Sequence, residues 1–246
     1  MRVALKLHMP EPEDLPVHYA HWVQAAVYGL FSPAVADVVH EEGFVAESRR
    51  YRLFAFSRLM GRYQLNRAAR SLRFLGPVVL VVSSPLSALV HDFANAILRT
   101  ETLRIGPVRF ILDSVTFAEP KVNGSRIVVR TLSPVTAYST LLKADGSRYT
   151  AYFDPHERQF ADLVARNLTR KHMALFGCEG PSPAGFLWRP RGRVQLHVVR
   201  YQDIVVKGYS GVFEVQGPPE LLQIGLDAGW GAKNAQGFGL TELLAG

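Results

Sequence analysis

The stretch Pro218-Pro-Glu-Leu-Leu-Gln-Ile-Gly-Leu-Asp-Ala-Gly-Trp-Gly-Ala-Lys-Asn-Ala-Gln-Gly-Phe-Gly-Leu-Thr-Glu-Leu-Leu244 contains three elements in succession. Pro218 to Ala228 predicts a helix, and Phe238 to Leu244 predicts a strand. Between them, Gly229-Trp-Gly-Ala-Lys233 and Gly237-Phe-Gly239 form a loop that can turn through positive φ and bring backbone N–H groups close to an anionic guest. Glycine loops also serve as plain tight turns, so the rest of the chain has to decide. Upstream, Gly192 to Gly208 and Tyr209 to Gln216 read as two strands. Asp154-Pro155 starts a long helix to Phe176 with Phe160, Leu163, Val164, Leu168 and Leu175 facing inward. Ser125 to Ser133 supplies a strand before it, and Leu141 to Phe153 an inserted hairpin turning at Asp145-Gly146.

The first half repeats that order. Arg2 to Met9 alternates Val3, Leu5 and Leu7 with Ala4, Lys6 and His8, as a half-buried strand does. A helix follows over His21 to Phe31, with Trp22, Ala25, Ala26, Gly29 and Leu30 at helical spacing, and a short one over Pro33 to Val39. Strands are predicted over Arg52–Leu59, Ser71–Gly76 and Pro77–Ser83, a helix from Ser84-Pro85 to Leu98, and a strand over Leu103–Phe117. Pro120 and Asn123-Gly124 mark a boundary. The fold class is therefore α+β: two tandem ferredoxin-like (RRM-like, βαββαβ) modules, residues 1–120 and 121–246, with the glycine-rich loop at the C-terminus. Such sheets commonly bind single-stranded RNA.

Composition points the same way. Lys and Arg total 28 against 21 Asp and Glu, a net charge of +7, which favours a polyanionic partner. No run of eighteen apolar residues and no signal-peptide core occur, so a cytoplasmic protein with no membrane partner is expected. The single Cys178 excludes an internal disulfide framework and any CxxC metal site.

Eight arginines, Arg49, Arg50, Arg52, Arg58, Arg62, Arg67, Arg70 and Arg73, crowd one segment without a single acidic residue. Tyr51, Phe54, Phe56, Tyr63 and Phe74 are interleaved with them. Arginine binds phosphate and stacks on bases, and aromatics offer stacking platforms, so this segment suits RNA. Arg166, Arg170 and Lys171 form a smaller basic group of the kind that is usually solvated. The eight histidines make no metal-ligand motif, no phosphate loop is present, and neither a metal nor a cofactor is expected. His40 stands apart by position, after a short helix and before Glu41-Glu42-Gly43 and the arginine segment; its imidazole can exchange a proton near neutral pH.

These residues together resemble the Cas6 family of CRISPR precursor-RNA-processing endoribonucleases, within the RAMP superfamily. The resemblance covers most of the chain. It rests chiefly on Gly229-Trp-Gly231, Lys233 and Gly237-Phe-Gly239, then on Gln24-Ala-Ala-Val-Tyr28, Val38-Val-His40-Glu, Arg52-Leu-Phe-Ala-Phe-Ser57 and Thr131-Leu-Ser-Pro134. It implies a catalytic tyrosine, histidine and lysine at the places of Tyr28, His40 and Arg52. Arginine at 52 departs from the pattern: it stays charged, so it can steady a phosphorane but not easily give up a proton, and Arg49 and Arg50 are near substitutes. The implied reaction is metal-independent attack of the RNA's own 2′-OH, leaving a 2′,3′-cyclic phosphate and a 5′-OH. The implied RNA contacts are Arg49, Arg50, Arg58, Lys233, Gly229, Gly231, Gly237, Phe238 and Gly239. The glycine loop, in the second module and remote in sequence from His40, is then an RNA-backbone clamp and module-packing element instead of the catalytic centre. The implied partners are CRISPR repeat RNA, as precursor and as mature guide RNA, other CRISPR effector subunits, and a second copy in a homodimer. The alternatives are a non-catalytic RAMP subunit that holds guide RNA in an effector complex, and a small-molecule enzyme on the same scaffold, which the basic composition disfavours.

Overall fold

The structure is a computed structural model that describes residues 1–38, 43–143, 145–201 and 204–244. Two sheets organise it. The first has five antiparallel strands in the order Ala55–Phe56, Val78–Ser83, Arg2–His8, Val108–Ala118, Thr102–Ile105. On the central strand Val3, Leu5 and Leu7 point to one face, where helices α1 (Ala20–Gly29) and α3 (Ser87–Thr100) bury Val23, Val27, Leu89, Val90, Phe93 and Ile97 against them. A short helix α2 (Pro33–Asp37) follows α1, with Ser32 ahead of its Pro33 in extended conformation. The second sheet runs Leu187–Pro190, Val212–Gln216, Arg126–Thr131, Thr241–Leu244. Helices α4 (Arg158–Phe176) and α5 (Pro219–Ala228) cover it, so that Phe160, Val164, Leu168, Leu221 and Leu222 meet Ile127, Val129, Phe213 and Val215. Each side chain buried this completely contributes roughly 1.5–3 kcal/mol.

Because strand residues alternate, the first sheet has a second face to cover. Ala4, Val79 and Val81 lie there and pack with Ala55, Leu132 and Leu240, a small apolar seam between the halves. Arg2, 8% exposed, crosses the same seam and donates to the carbonyls of Thr241 and Leu226 at 3.1 Å each.

The structure corrects several sequence expectations. The expected strand Arg52–Leu59 is only Ala55–Phe56, because Leu53 takes φ +49°. That turn sends the Leu53 side chain into the second core while Phe54 and Phe56 enter the first. Leu103–Phe117 is two strands folded at Gly106-Pro107, and Gly192–Gly208 is a hairpin of Gln195–Tyr201 with Ile204–Ser210. On α1 the buried positions are Val23 and Val27, while Ala25 and Gly29 are exposed. Short hairpins flank the sheets: Phe44–Ala46 with Arg49–Tyr51, Tyr63–Asn66 with Ser71–Phe74, and Tyr138–Leu142 with Arg148–Tyr152. No helix among the described residues is long and apolar enough to cross a membrane.

Candidate functional site

Where α1 ends, Tyr28 stands edge-on to Phe31 and Phe54, with ring centroids 6.0 and 5.5 Å away. Gln24 lies one helical turn earlier, and the turn at Leu53 brings Arg52 beside the Tyr28 hydroxyl. Burial pushes that phenol above its usual range, and the Arg52 guanidinium and the Gln24 amide work against the rise. Tyr51 is pushed up by burial in the same way, opposed by Arg170 and Arg49.

Tyr28 and Arg52 form one wall of a cleft of about 890 Å³ between the halves. The Arg49–Tyr51 strand continues that wall, α4 supplies Arg166, Asn167 and Arg170, and the glycine loop supplies Gly231, Lys233 and Gln236. No Asp or Glu is among the described residues of the lining. Arg170 is held at 3.0 Å by Glu47. Lys233, in left-handed conformation at φ +61°, places its ammonium 5.6 Å from the centre of the Tyr138 ring. Cations that outnumber the one carboxylate held against them, amides at the edge and half-buried tyrosine rings make a receptor for phosphates joined to planar bases.

The glycine loop is built from packing. The Trp230 indole is fully buried and donates to Thr241 Oγ1 at 2.8 Å, and its backbone N–H donates to Gly239 O at 2.9 Å. Asn234 Nδ2 donates to the carbonyls of Trp230 and Phe238, both at 3.0 Å. A Cβ on Gly231 would sit 2.3 Å from Thr136 O and one on Gly239 2.1 Å from Trp230 O, and both residues have positive φ, so no other residue fits either position. Gly229, Gly237 and Gly239 are buried, and Phe238 is 1% exposed in a cluster with Tyr201 and Val206. Phe238 thus has no free face on which a base could stack, and these residues shape the loop. Remote in sequence from the first half, the loop nevertheless lines the cleft that holds Tyr28 and Arg52.

Sequence reasoning overlooked what fixes the loop. Lys171, read as part of a solvated basic group, is 2% exposed. Its ammonium donates to Gly229 O at 2.6 Å, Asn234 Oδ1 at 2.6 Å and Gly231 O at 3.3 Å. Burial lowers it from 10.5 to about 7. The spacing 160-164-168-171 carried the signal, since it puts Lys171 on the apolar stripe of α4. Arg166 and Arg170 are on a neighbouring stripe with Leu163 and Asn167, which faces the cleft.

Of the other expected contacts, Arg49 and Arg50 line the cleft and Arg58 does not. Arg58 Nη1 instead donates to His197 Nδ1 at 3.2 Å, tying the first half to the Gln195–Tyr201 strand. His40 lies outside the described residues. On either side of its segment, the Gly43 N–H donates to Val38 O at 2.8 Å, and a Cβ added at Gly43 would meet Arg50 Cβ at 3.3 Å and Tyr51 O at 3.4 Å.

Comparison with known proteins bears on this geometry. The sequence model of the family described as "CRISPR associated protein Cas6, C-terminal" matches residues 117–243. The CRISPR-associated endoribonuclease Cas6 1 of Methanocaldococcus jannaschii is 26% identical over 248 residues, 98% of this chain and 92% of that protein. Among solved structures, one described as a Cas6-related gene product from Pyrococcus furiosus superposes with a TM-score of 0.86 at 19% identity, covering 99% and 98% of the two chains. Another, described as a RAMP protein binding different RNA substrates, gives 0.84 at 21% identity over the full length of both. These two likenesses establish the shared fold.

Proposed function

The chain belongs to the Cas6 family, and from that premise we propose that it is an endoribonuclease that cuts CRISPR repeat RNA in the precursor transcript and so makes guide RNAs. The carrying observation is a cleft with no Asp or Glu among the described residues of its lining, in which Tyr28 and Arg52 of the first half face Lys233 of the second. The strand order in each half supports reading residues 1–120 and 121–246 as tandem ferredoxin-like modules, with the substrate between them.

The reaction is transesterification. The 2′-OH loses its proton and attacks the neighbouring phosphorus. The bond from phosphorus to the 5′ oxygen breaks, that oxygen takes a proton, and a 2′,3′-cyclic phosphate and a 5′-OH remain. Arg52 balances the extra negative charge on the phosphorane oxygens, an electrostatic role suited to a permanently charged guanidinium. Tyr28, beside Arg52, orients the nucleophile or supplies a proton. His40 is general base or general acid; Gly43, three residues after it, adjoins the Arg49–Tyr51 wall. Arg49, Arg50, Arg166 and Lys233 hold the flanking phosphates. Other CRISPR effector subunits and a homodimer are the further partners of this reading.

His40→Ala is expected to slow cleavage by about 10²–10⁴ while repeat RNA still binds. A 2′-deoxy sugar at the scissile nucleotide is expected to stop the reaction, with EDTA making no difference in either case. Cutting of the deoxy substrate, or loss of cutting in EDTA, would overturn the mechanism. The departure at Arg52 favours one second reading, a non-catalytic subunit that retains guide RNA. Tight binding of repeat RNA with no product at any pH would establish that reading instead.

A further inference from the structure

Beyond the cleft, the strand Tyr63–Asn66 pairs with Ser71–Phe74, which pairs in turn with Asp14–Pro16. The outer strand is the edge of this small sheet. Leu72 and Phe74 of the inner strand are buried, whereas every residue from Gly61 to Arg70 is exposed. Two of these are large apolar residues: Tyr63 at 54% and Leu65 at 48%. The Tyr63 ring rests edge-on against Phe74, centroids 6.0 Å apart, which fixes its orientation and leaves a face open. Along the same hairpin, Arg62 before the outer strand and Arg67 and Arg70 in its turn have side chains that make no hydrogen bond or ion pair among the described residues, while Arg73 is held by Asp14 at 2.6 Å.

We propose that this hairpin is a second RNA surface, which takes the single-stranded length of transcript leading out of the cleft. The proposal rests on the cleft being the repeat-binding site. An oriented aromatic ring with three unpartnered guanidiniums spaced along the same hairpin matches a stacked base and the phosphates of the strand that carries it. The same arginines disfavour a protein strand at this edge, since cations at both ends of a four-residue strand oppose edge pairing. Reach is sufficient. Phe54 lines the cleft and Tyr63 is nine residues further on, a span of at most about 30 Å that some nine stacked nucleotides would cover.

The test compares wild type with the variant Arg62→Gln/Tyr63→Ala/Arg67→Gln on two lengths of uncleavable, 2′-deoxy-substituted repeat RNA. One is about 8 nucleotides, enough for the cleft, and the other about 25, enough to leave it. The variant should bind the long RNA at least tenfold more weakly, with a shallower salt dependence, and the short RNA within twofold of wild type. An unchanged melting temperature shows that the fold is intact. Equal affinity of both proteins for the long RNA overturns the proposal, as does a change confined to oligomeric state, which would mark the hairpin as a protein contact. Failure of wild type to bind either RNA would instead overturn the reading of the cleft.

Discussion

Lys171 is the residue on which the shape of the site turns. A lysine ammonium has three protons to donate, and here Gly229 O, Gly231 O and Asn234 Oδ1 take them. Lys171→Met fills the same space and leaves those oxygens buried without a donor, at a cost of about 3 kcal/mol. Repeat RNA affinity should fall with it, because Lys233 and Gly231 ride on the loop. The amine also links stability to pH. Its folded value near 7 lies below the ordinary 10.5, so between those pH values the unfolded chain holds more protons than the folded one. Wild-type stability should therefore gain on that of Lys171→Met as pH rises from 7 to 10, measured by urea unfolding at each pH. A constant difference between the two proteins would remove Lys171 as the linked group. At this scale the sequence was half legible. Tyr28 and Arg52 could be named from motifs, and Lys171 from its place in an apolar stripe. That Tyr28 and Arg52 meet depends on the positive φ of Leu53, which no pattern of residues announces.

Elements with a continuous apolar period were readable because one face of each is buried along its whole length. The first strand, α3, α4 and α5 are of this kind. Elements that serve two cores at once were not, since Leu53 and Phe54 obey neither a helical nor a strand period. The Gln195–Ser210 hairpin was missed because its strands are apolar on their exposed side too, at Leu196, Val198 and Val205. This hairpin is tied to the first half by His197, which accepts from Arg58 at Nδ1 and donates to Ser210 Oγ from Nε2 at 2.6 Å. Burial, and then the Arg58 charge, lower the imidazole from 6.5 to about 4. A second proton would convert the acceptor into a cation facing a cation. Between pH 6.5 and 4 the unfolded chain therefore binds more protons at this site than the folded one, and stability falls as pH falls through that window. Partial exposure of the ring moderates the effect. His197→Gln should flatten the dependence of denaturant midpoint on pH between 6.5 and 4; an unaltered slope would show that the tie does not titrate.

For the whole molecule, the decisive fact is that neither half owns the cleft. The first contributes Tyr28, Arg49, Arg50 and Arg52, and the second Arg166, Arg170 and Lys233, around a lining with no described carboxylate. The net charge of +7 raises the general attraction for any polyanion, but only this arrangement concentrates cations where a phosphate chain would lie flanked by tyrosine rings. Affinity for repeat RNA should accordingly carry a large counterion-release component. With four or five phosphates neutralised, log K should fall with log salt at a slope near −3, about sixty-fold between 0.1 and 0.4 M. Because the two halves act in parallel on one strand, Arg166→Gln and Lys233→Gln should each reduce the slope by about 0.7, and the double variant by the sum. A double variant with the wild-type slope would mean that the RNA lies along the first half alone.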